Sequence, residues 1–165
     1  ECHQITVITD HLMDILHNVL LHLRPSNIDE LGLSASLKSM VSKWNAGDGN
    51  KTHYEIDIYE ESDQLPEPIS SNIFRIVQEC LSNISKHANA KTAKVRLEES
   101  LSPDNELILT VQDDGISISS TFPGTTGIGL LGIRERVNSL GGKLSLFTNT
   151  PSGLVIQIRV PLHKG

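Results

Sequence analysis

The order of helical and strand-like segments constrains the fold of this chain more than any single motif. Four longer stretches repeat apolar residues at the spacing of an α-helix, and five shorter ones, bounded by turn residues, are typical of strands. The predicted helices are 5–23, 29–44, 69–87 and 129–140, and the predicted strands are 54–59, 94–98, 106–112, 143–148 and 154–160. Two helices therefore precede a sheet of about five strands that carries two more helices, which is an α+β layer arrangement.

The composition argues against several classes of function. The 165 residues include 14 Lys and Arg against 20 Asp and Glu, a formal net charge of −6, whereas a nucleic-acid-binding protein normally carries a basic surface. No window approaches the roughly 20 apolar residues of a membrane span, and no signal peptide is visible. Because the chain begins at Glu1 rather than Met, we expect a piece of a longer protein, and a membrane-anchored parent stays open.

The two cysteines, Cys2 and Cys80, do not form a metal-binding pair. A chain with only these two cysteines fits a reducing compartment. Because Cys80 falls within an apolar pattern, we expect it to be a buried thiol.

A G-x-G-x-x-G pattern lies in the stretch G-T-T-G-I-G-L-L-G-I-R-E-R-V, at Gly127, Gly129 and Gly132. In a dinucleotide-binding fold these glycines directly follow the first strand, and an acidic residue lies about 20 residues further on. Neither condition holds, because a polar loop separates the pattern from the preceding strand and the region near Thr150 is not acidic. Backbone N–H groups at the start of a helix nevertheless favour an anion, and small residues let a phosphate come close. The pattern therefore predicts either a phosphate-binding helix start or a flexible loop.

The predicted helix at 69–87 has two different faces. Glu79, Asn83 and Lys86 lie together on one side at positions i, i+4 and i+7. An amide oxygen can complete the oxygen shell of Mg²⁺ with phosphate oxygens and water, a lysine can contact phosphates, and a glutamate can accept a proton. An ordinary solvated helix face has the same composition, so the stripe alone leaves both interpretations open. The apolar residues share the opposite side: Ile73, Val77, Cys80, Leu81 and Ile84.

The apolar strand at 106–112 runs directly into Asp113, Asp114 and Gly115. Such a strand end favours an acid at the floor of a cleft. A carboxylate there can accept a hydrogen bond from an exocyclic amine, which would select adenine over guanine. Asp-Gly is also a common turn, so these three residues alone do not decide between the two interpretations.

Together these motifs resemble the ATP-binding domain of the GHKL superfamily, the Bergerat fold of gyrase, Hsp90, MutL and histidine kinases. The similarity is strongest to sensor histidine kinases of the nitrate-sensor and DesK-like class. R-I-V-Q-E-C-L-S-N-I-S-K-H-A-N-A is similar to the N box of that class, D-D-G to its G1 box, and G-I-G-L-L-G-I-R-E-R-V to its G2 box. The segment L-R-P-S-N-I-D-E-L-G-L is similar to the run that joins the dimerisation helices to the ATPase domain. The resemblance implies a Bergerat-type α/β sandwich, with a mixed sheet of about five strands and helices on one face.

The resemblance also implies a role for each motif residue at its matching position. Asn83 is the implied ligand of Mg²⁺, and Glu79 is the implied base or water-orienting carboxylate. Asp113 is the implied partner of the adenine amine, and Gly115 lets the base lie close. A mobile lid is implied at 116–129. The residues implied to contact or enclose the phosphates are Lys86, His87, Thr126, Gly127, Gly129, Leu130 and Gly132.

Two departures from the family pattern affect these expectations. Ser117 stands where the G1 pattern Asp-x-Gly-x-Gly has its second glycine, so the loop turn is expected to differ. No histidine of the chain is followed by the Asp or Glu that follows the family's phosphoacceptor, so we expect that acceptor before Glu1. Two alternatives stay open: a GHKL serine kinase of the anti-sigma type, and a degenerate, non-catalytic interaction module.

The resemblance finally implies how the whole protein is organised. Residues 1–45 are expected to be the remnant of the dimerisation helices with a linker helix, and residues 46–165 the ATP-binding catalytic domain. The implied activity is that of a histidine protein kinase that uses ATP and Mg²⁺. It would transfer the γ-phosphoryl group to a histidine and then to a response regulator receiver domain. We expect a homodimer in the full-length protein and a cytoplasmic location, with no nucleic acid partner and no direct membrane contact by this part.

Overall fold

The computed structural model describes residues 26–47, 51–101, 105–116 and 128–162, so the helix predicted at 5–23 lies outside the described residues. The helices are α1 (Ser26–Ala46), α2 (Ile69–Asn83) and α3 (Ile128–Ser139). A 3-10 turn (Glu60–Gln64) precedes α2, and a π-helical turn (Ile84–Ala88) continues it. The strands are β1 (His53–Ile58), β2 (Thr92–Ser100), β3 (Glu106–Asp113), β4 (Lys143–Thr148) and β5 (Leu154–Pro161). None of the described helices is both long enough and apolar enough to cross a membrane.

The five strands form one mixed sheet in the order β1-β2-β3-β5-β4, which confirms the predicted α+β class. Strands β1 and β2 are parallel, whereas the other neighbouring pairs are antiparallel. A parallel pair requires a long crossover connection, and here that connection contains the 3-10 turn and α2. The register pairs Ala93 with Asp113. The carboxyl end of β3 therefore lies beside the start of β2, close to where the helical run of α2 ends.

The helices cover one face of the sheet, and a single core lies between the two layers. The five apolar residues predicted to share one side of the helix at 69–87 are all buried, four in α2 and Ile84 in the π-helical turn. Cys80 is among them, as predicted, and burial, with a smaller effect of the Glu79 charge, raises the pKa of its thiol to about 12. The opposite face of the sheet carries exposed charged side chains such as Lys94 and Arg96, which alternate along β2 with buried Val95 and Leu97.

Helix α1 is interrupted at Gly32, whose φ of 81° and ψ of 169° are accessible only to glycine at low cost. A Cβ at this position would lie 2.7 Å from Oδ1 of Asp63, in the 3-10 turn. The same oxygen accepts a hydrogen bond from the N–H of Ser34 at 2.7 Å, so this carboxylate caps the second half of α1. That half buries Leu33, Leu37 and Val41 in the common core. The division of the chain between residues 45 and 46 stays a prediction.

A Gly32→Ala substitution is expected to lower the free energy of unfolding by about 2 kcal/mol or more, because alanine is strained in this conformation and its methyl group displaces the cap. Urea unfolding followed by circular dichroism measures the loss. Gly47→Ala is the matched control, since the nearest atom to a Cβ there is the Trp44 carbonyl oxygen at 3.5 Å. This control is expected to change the unfolding free energy by no more than about 0.5 kcal/mol. Equal effects of the two substitutions would contradict the capping interpretation.

Candidate functional site

Asp113 lies at the carboxyl end of β3, where it is 5% exposed. Its Oδ1 accepts a hydrogen bond from the N–H of Gly115 at 2.8 Å, and the N–H of Leu154 also donates to the carboxylate. Burial raises the pKa of Asp113 above its ordinary value, while these two hydrogen bonds act in the opposite direction. A carboxylate offers about four acceptor positions. The Asp113 carboxylate therefore has acceptor capacity for a further hydrogen bond.

Gly115 allows the chain that leaves β3 to pack directly on the end of the π-helical turn. A Cβ at Gly115 would overlap the carbonyl of Ala88 and lie 3.0 Å from the Ala88 Cβ. The next residue, Ile116, donates its N–H to the same carbonyl at 2.7 Å. The close neighbour of Gly115 in the structure is therefore main chain, and its predicted contact with a base stays a prediction.

The Asp114 carboxylate binds Lys91 and Thr92, at the start of β2. Its Oδ1 accepts the N–H groups of Lys91 at 2.8 Å and Thr92 at 2.9 Å, and its Oδ2 accepts the Thr92 hydroxyl at 2.9 Å. These hydrogen bonds lower the pKa of the Asp114 carboxyl, and the one from the Thr92 N–H has the largest effect on that pKa. The two neighbouring carboxylates thus have opposite pKa shifts and different partners. The letters Asp-Asp-Gly carry no signal that separates these roles.

The second part of the site lies where α2 meets the start of α3. A Cβ at Gly129 would overlap Oε1 of Glu79 and lie 3.1 Å from Nδ2 of Asn83. Glycine at this position therefore lets the first turn of α3 approach both side chains. Glu79 and Asn83 are each partly exposed, so their polar atoms can reach a bound group. The structure brings these three predicted residues together, although the glycine is far from the other two in sequence.

Lys86 and His87 lie in the π-helical turn, and both are exposed. Turns of this kind occur frequently at functional sites. Leu130 is partly exposed in the first turn of α3, where it lines a shallow groove together with Leu144 and Leu146 of β4. Because Lys86 and His87 are exposed, their side chains are free of the core and can reach a phosphate. Their phosphate contacts stay predictions.

Gly132, also predicted near the phosphates, lies within α3 and is partly exposed. A Cβ at Gly132 would meet no atom of the described residues within 4 Å, so packing among them does not require glycine there. Thr126, Gly127 and Ser117 lie outside the described residues, as does most of the lid predicted at 116–129.

The side chains of Glu79 and Asn83, which lie on α2 beside the start of α3, suit a metal ion that arrives with phosphates. In the part of the chain that the structure describes, no group of three His, Cys, Asp or Glu side chains could hold a metal ion. Asn83 offers an amide oxygen and Glu79 a carboxylate beside a helix N-terminus, where main-chain N–H groups favour anions. Because Mg²⁺ takes oxygen ligands and usually keeps several waters and phosphate oxygens, these residues fit a magnesium–phosphate group.

Sequence reasoning did not predict that the turn between β4 and β5 contacts Asp113 and Asp114. Asn149 donates its Nδ2 to the main-chain carbonyl of Asp113 at 2.7 Å, and the hydroxyl of Ser152 donates to that of Asp114 at 3.0 Å. A Cβ at Gly153 would overlap the carbonyl of Asp113. Asn, Ser and Gly are common in turns for purely local reasons. Their presence at 149–153 therefore gave no sign of a contact with Asp113 and Asp114.

The chain is similar to a known protein family and to curated histidine kinases. The family model described as the histidine kinase-, DNA gyrase B-, and HSP90-like ATPase matches residues 69–164. The oxygen sensor histidine kinase NreB of Staphylococcus carnosus is 28% identical over 156 residues, which cover 94% of this chain and 44% of NreB. The signal transduction histidine-protein kinase/phosphatase DegS of Brevibacillus brevis is 30% identical over 147 residues, 89% of this chain and 37% of DegS. The chain thus spans less than half the length of either relative.

Solved structures contain the same fold. The histidine kinase domain of the blue-light activated histidine kinase from Erythrobacter litoralis superposes with a TM-score of 0.62 and is 28% identical in sequence. The superposition covers 79% of this chain and 61% of that domain. The mixed five-stranded sheet with helices on one face is therefore shared with a protein of known structure.

Proposed function

We propose that this chain, which belongs to the family of histidine kinase-, DNA gyrase B-, and HSP90-like ATPases, is the ATP-binding catalytic domain of a two-component sensor histidine kinase. Membership of the family confirms the resemblance predicted from the motifs. The observation that carries the proposal is that one helical run connects two chemically different halves of a site. Glu79 and Asn83 of α2 meet α3 at Gly129, and Ala88, at the end of the same run, meets Gly115 beside buried Asp113.

The half of the site around Asp113 supports binding of an adenine base. The Asp113 carboxylate already accepts two main-chain N–H groups and has acceptor capacity left for the exocyclic amine of adenine. Guanine presents an oxygen at that position, and a carboxylate repels it. Because Asp113 is 5% exposed, a base that cannot donate would leave its buried carboxylate poorly paired, which is costly.

The half of the site around Asn83 supports binding of the phosphates. We propose that the Asn83 side-chain oxygen ligates Mg²⁺, which would neutralise phosphate charge and orient the γ-phosphoryl group for transfer. Main-chain N–H groups in the first turn of α3 would receive the phosphate oxygens. Lys86 and His87, both exposed in the π-helical turn, would add positive or hydrogen-bonding contacts. The lid at 116–129, with Thr126 and Gly127, would enclose the phosphates.

In the proposed reaction a histidine nitrogen attacks the γ-phosphorus of ATP. An N–P bond forms while the bond from the γ-phosphorus to the bridging oxygen breaks, and the electron pair leaves with ADP. Glu79, beside the start of α3, accepts the proton that the imidazole releases. The phosphoryl group then passes to an aspartate carboxylate of a response regulator receiver domain. In this proposal the acceptor histidine precedes Glu1.

The proposal extends to the rest of the protein. The relatives NreB and DegS are both named histidine kinases, which supports a histidine as acceptor. We propose that residues 1–45 belong to dimerisation helices and a linker, that the full-length protein is a homodimer, and that this domain works in the cytoplasm. The net charge of −6 supports a domain without a nucleic acid partner.

Labelling of the complete gene product with radioactive ATP tests the proposed function. We expect magnesium-dependent label that is acid-labile and alkali-stable, as phosphohistidine is, and that moves to a receiver domain. Acid-stable label on serine would instead support the anti-sigma type of serine kinase. ATP binding without transfer would support a non-catalytic module, and either outcome would contradict the proposal.

A further inference from the structure

The side chain of Asn149, which follows β4, has hydrogen bonds at both of its polar atoms. Its Oδ1 accepts the N–H of Thr150 at 2.9 Å, and its Nδ2 donates to the main-chain carbonyl of Asp113 at 2.7 Å. Its own N–H donates to the carbonyl of Gly153 at 2.9 Å, which closes the turn. Reversing the amide would lose both side-chain hydrogen bonds. The position therefore requires an amide, and a carboxylate of the same shape cannot replace it.

Two more residues of the same turn contact the same main-chain segment. The Ser152 hydroxyl donates to the carbonyl of Asp114 at 3.0 Å. Gly153, with a φ of 108°, lies so close that a Cβ would be 2.7 Å from the carbonyl carbon of Asp113 and 3.0 Å from the Cα of Asp114. Only glycine adopts this conformation without strain and leaves room for the approach. The turn at 149–153 thus fits against the main chain of both aspartates.

The turn also reaches the side chain of Asp113. Gly153 leads directly into Leu154, whose N–H donates to the Asp113 carboxylate. Asp113 is therefore held at two points: the turn holds its main-chain carbonyl through Asn149, and the first residue of β5, Leu154, holds its carboxylate. We propose that Asn149 is a positioning residue, which sets the direction of the Asp113 carboxylate and thereby the preference for adenine over purines without the exocyclic amine. This inference rests on the proposed function.

Recognition of an amine depends on the direction of the acceptor, because hydrogen bonds weaken steeply as their angle departs from linearity. Without the Asn149 amide, the main-chain carbonyl of Asp113 loses its side-chain donor, and the strand end can rotate together with the carboxylate. The phosphate half of the site lies on α2 and α3, where Gly129 meets Glu79 and Asn83. Removal of the Asn149 amide should therefore affect recognition of the base and leave the phosphate contacts unchanged.

Calorimetric binding of ATP and of ITP to the whole chain tests this inference. ITP has the ribose and phosphates of ATP but an oxygen in place of the amine, and we expect wild type to bind ATP about 30-fold more tightly. Asn149→Ala and the isosteric Asn149→Asp are expected to weaken ATP binding about tenfold and to change ITP binding by less than about twofold. Ser152→Ala, which removes only the neighbouring contact, should weaken ATP binding about threefold.

Asn105→Ala is the matched control. Asn105 precedes β3, at the opposite end of that strand from Asp113, and its Nδ2 donates to the main-chain carbonyl of Leu162 at 3.3 Å. The control therefore also removes a hydrogen bond from an amide to a main-chain carbonyl, but at the end of β3 that is far from Asp113. We expect it to leave the ratio of ATP to ITP affinity unchanged.

An unchanged ratio in the folded Asn149 variants, or equal weakening of both nucleotides, would overturn the inference. If circular dichroism shows that the Asn149 variants do not fold, Ser152→Ala decides: a reduced ratio supports positioning by the turn, and an unchanged ratio overturns it. Asp113→Asn separates this inference from the proposed function. If wild type and Asp113→Asn both bind ATP and ITP alike, the adenine assignment itself fails. If Asp113→Asn removes the preference and the Asn149 variants keep it, only the positioning inference fails.

Discussion

An Asn83→Ala variant is expected to bind ATP at least about 100-fold more weakly than wild type in the presence of magnesium, and its residual binding should not depend on the ion. In the proposed site the side-chain oxygen of Asn83 ligates Mg²⁺. Asn83 lies beside the first turn of α3, where its Nδ2 would lie 3.1 Å from a Cβ at Gly129. Alanine removes the oxygen ligand and leaves the helix intact, because alanine is a strong helix former.

Calorimetric titration with ATP, in magnesium and in a chelator, measures this effect. Asn72→Ala is the matched control, because Asn72 lies on the same helix and its side chain donates to the carbonyl of Pro68 at 2.9 Å. With a rise of 1.5 Å per residue, the two asparagines are about 16 Å apart along the helix. Wild-type magnesium dependence in the Asn83→Ala variant would remove Asn83 from the metal site.

The helix α2 shows how much of the fold could be predicted from the sequence. Helical periodicity is a local signal, and the five apolar side chains that it assigned to one face, from Ile73 to Ile84, are all buried. It did not predict that Ser70, Arg75, Ile76 and Ser82 are buried as well. A similar local pattern placed the strand predicted at 106–112, which is observed at Glu106–Asp113. The strand predicted at 94–98 is longer in the structure, at Thr92–Ser100. The 3-10 turn at Glu60–Gln64 was not predicted, because five residues with no apolar repeat give no such signal.

Contacts between distant segments could not be predicted in this way. Asp63 caps Ser34 across 29 residues, and Asn149 holds Asp113 across 36 residues. Each of these side chains is typical of a turn in its own segment, so its sequence neighbours do not indicate its partner. The family resemblance indicated residues implied to bind the nucleotide, such as Asp113. The resemblance did not indicate Asn149, whose side chain donates a hydrogen bond to the main-chain carbonyl of Asp113.

A Glu79→Gln variant is expected to separate phosphoryl transfer from nucleotide binding. Glutamine has the same shape as glutamate and can keep the contact with the first turn of α3 at Gly129, but it cannot accept a proton as a carboxylate does. We expect the rate of phosphoryl transfer to fall about 10²- to 10⁴-fold, which is the usual contribution of a general base. The dissociation constant of magnesium ATP should change by less than about threefold, because the interaction that is lost is made only in the transition state.

Single-turnover transfer in the complete gene product, at saturating ATP, measures this rate, with Glu135→Gln on the exposed side of α3 as the control. A fall in affinity as large as the fall in rate would assign Glu79 to binding, and an unchanged rate would remove it from the reaction. Gly129→Ala adds an independent comparison, since its methyl group must displace the Glu79 carboxylate. If Glu79 is the base, Gly129→Ala alone slows phosphoryl transfer. In the double variant with Glu79→Gln it causes little further loss of rate, because both changes act on the same side chain.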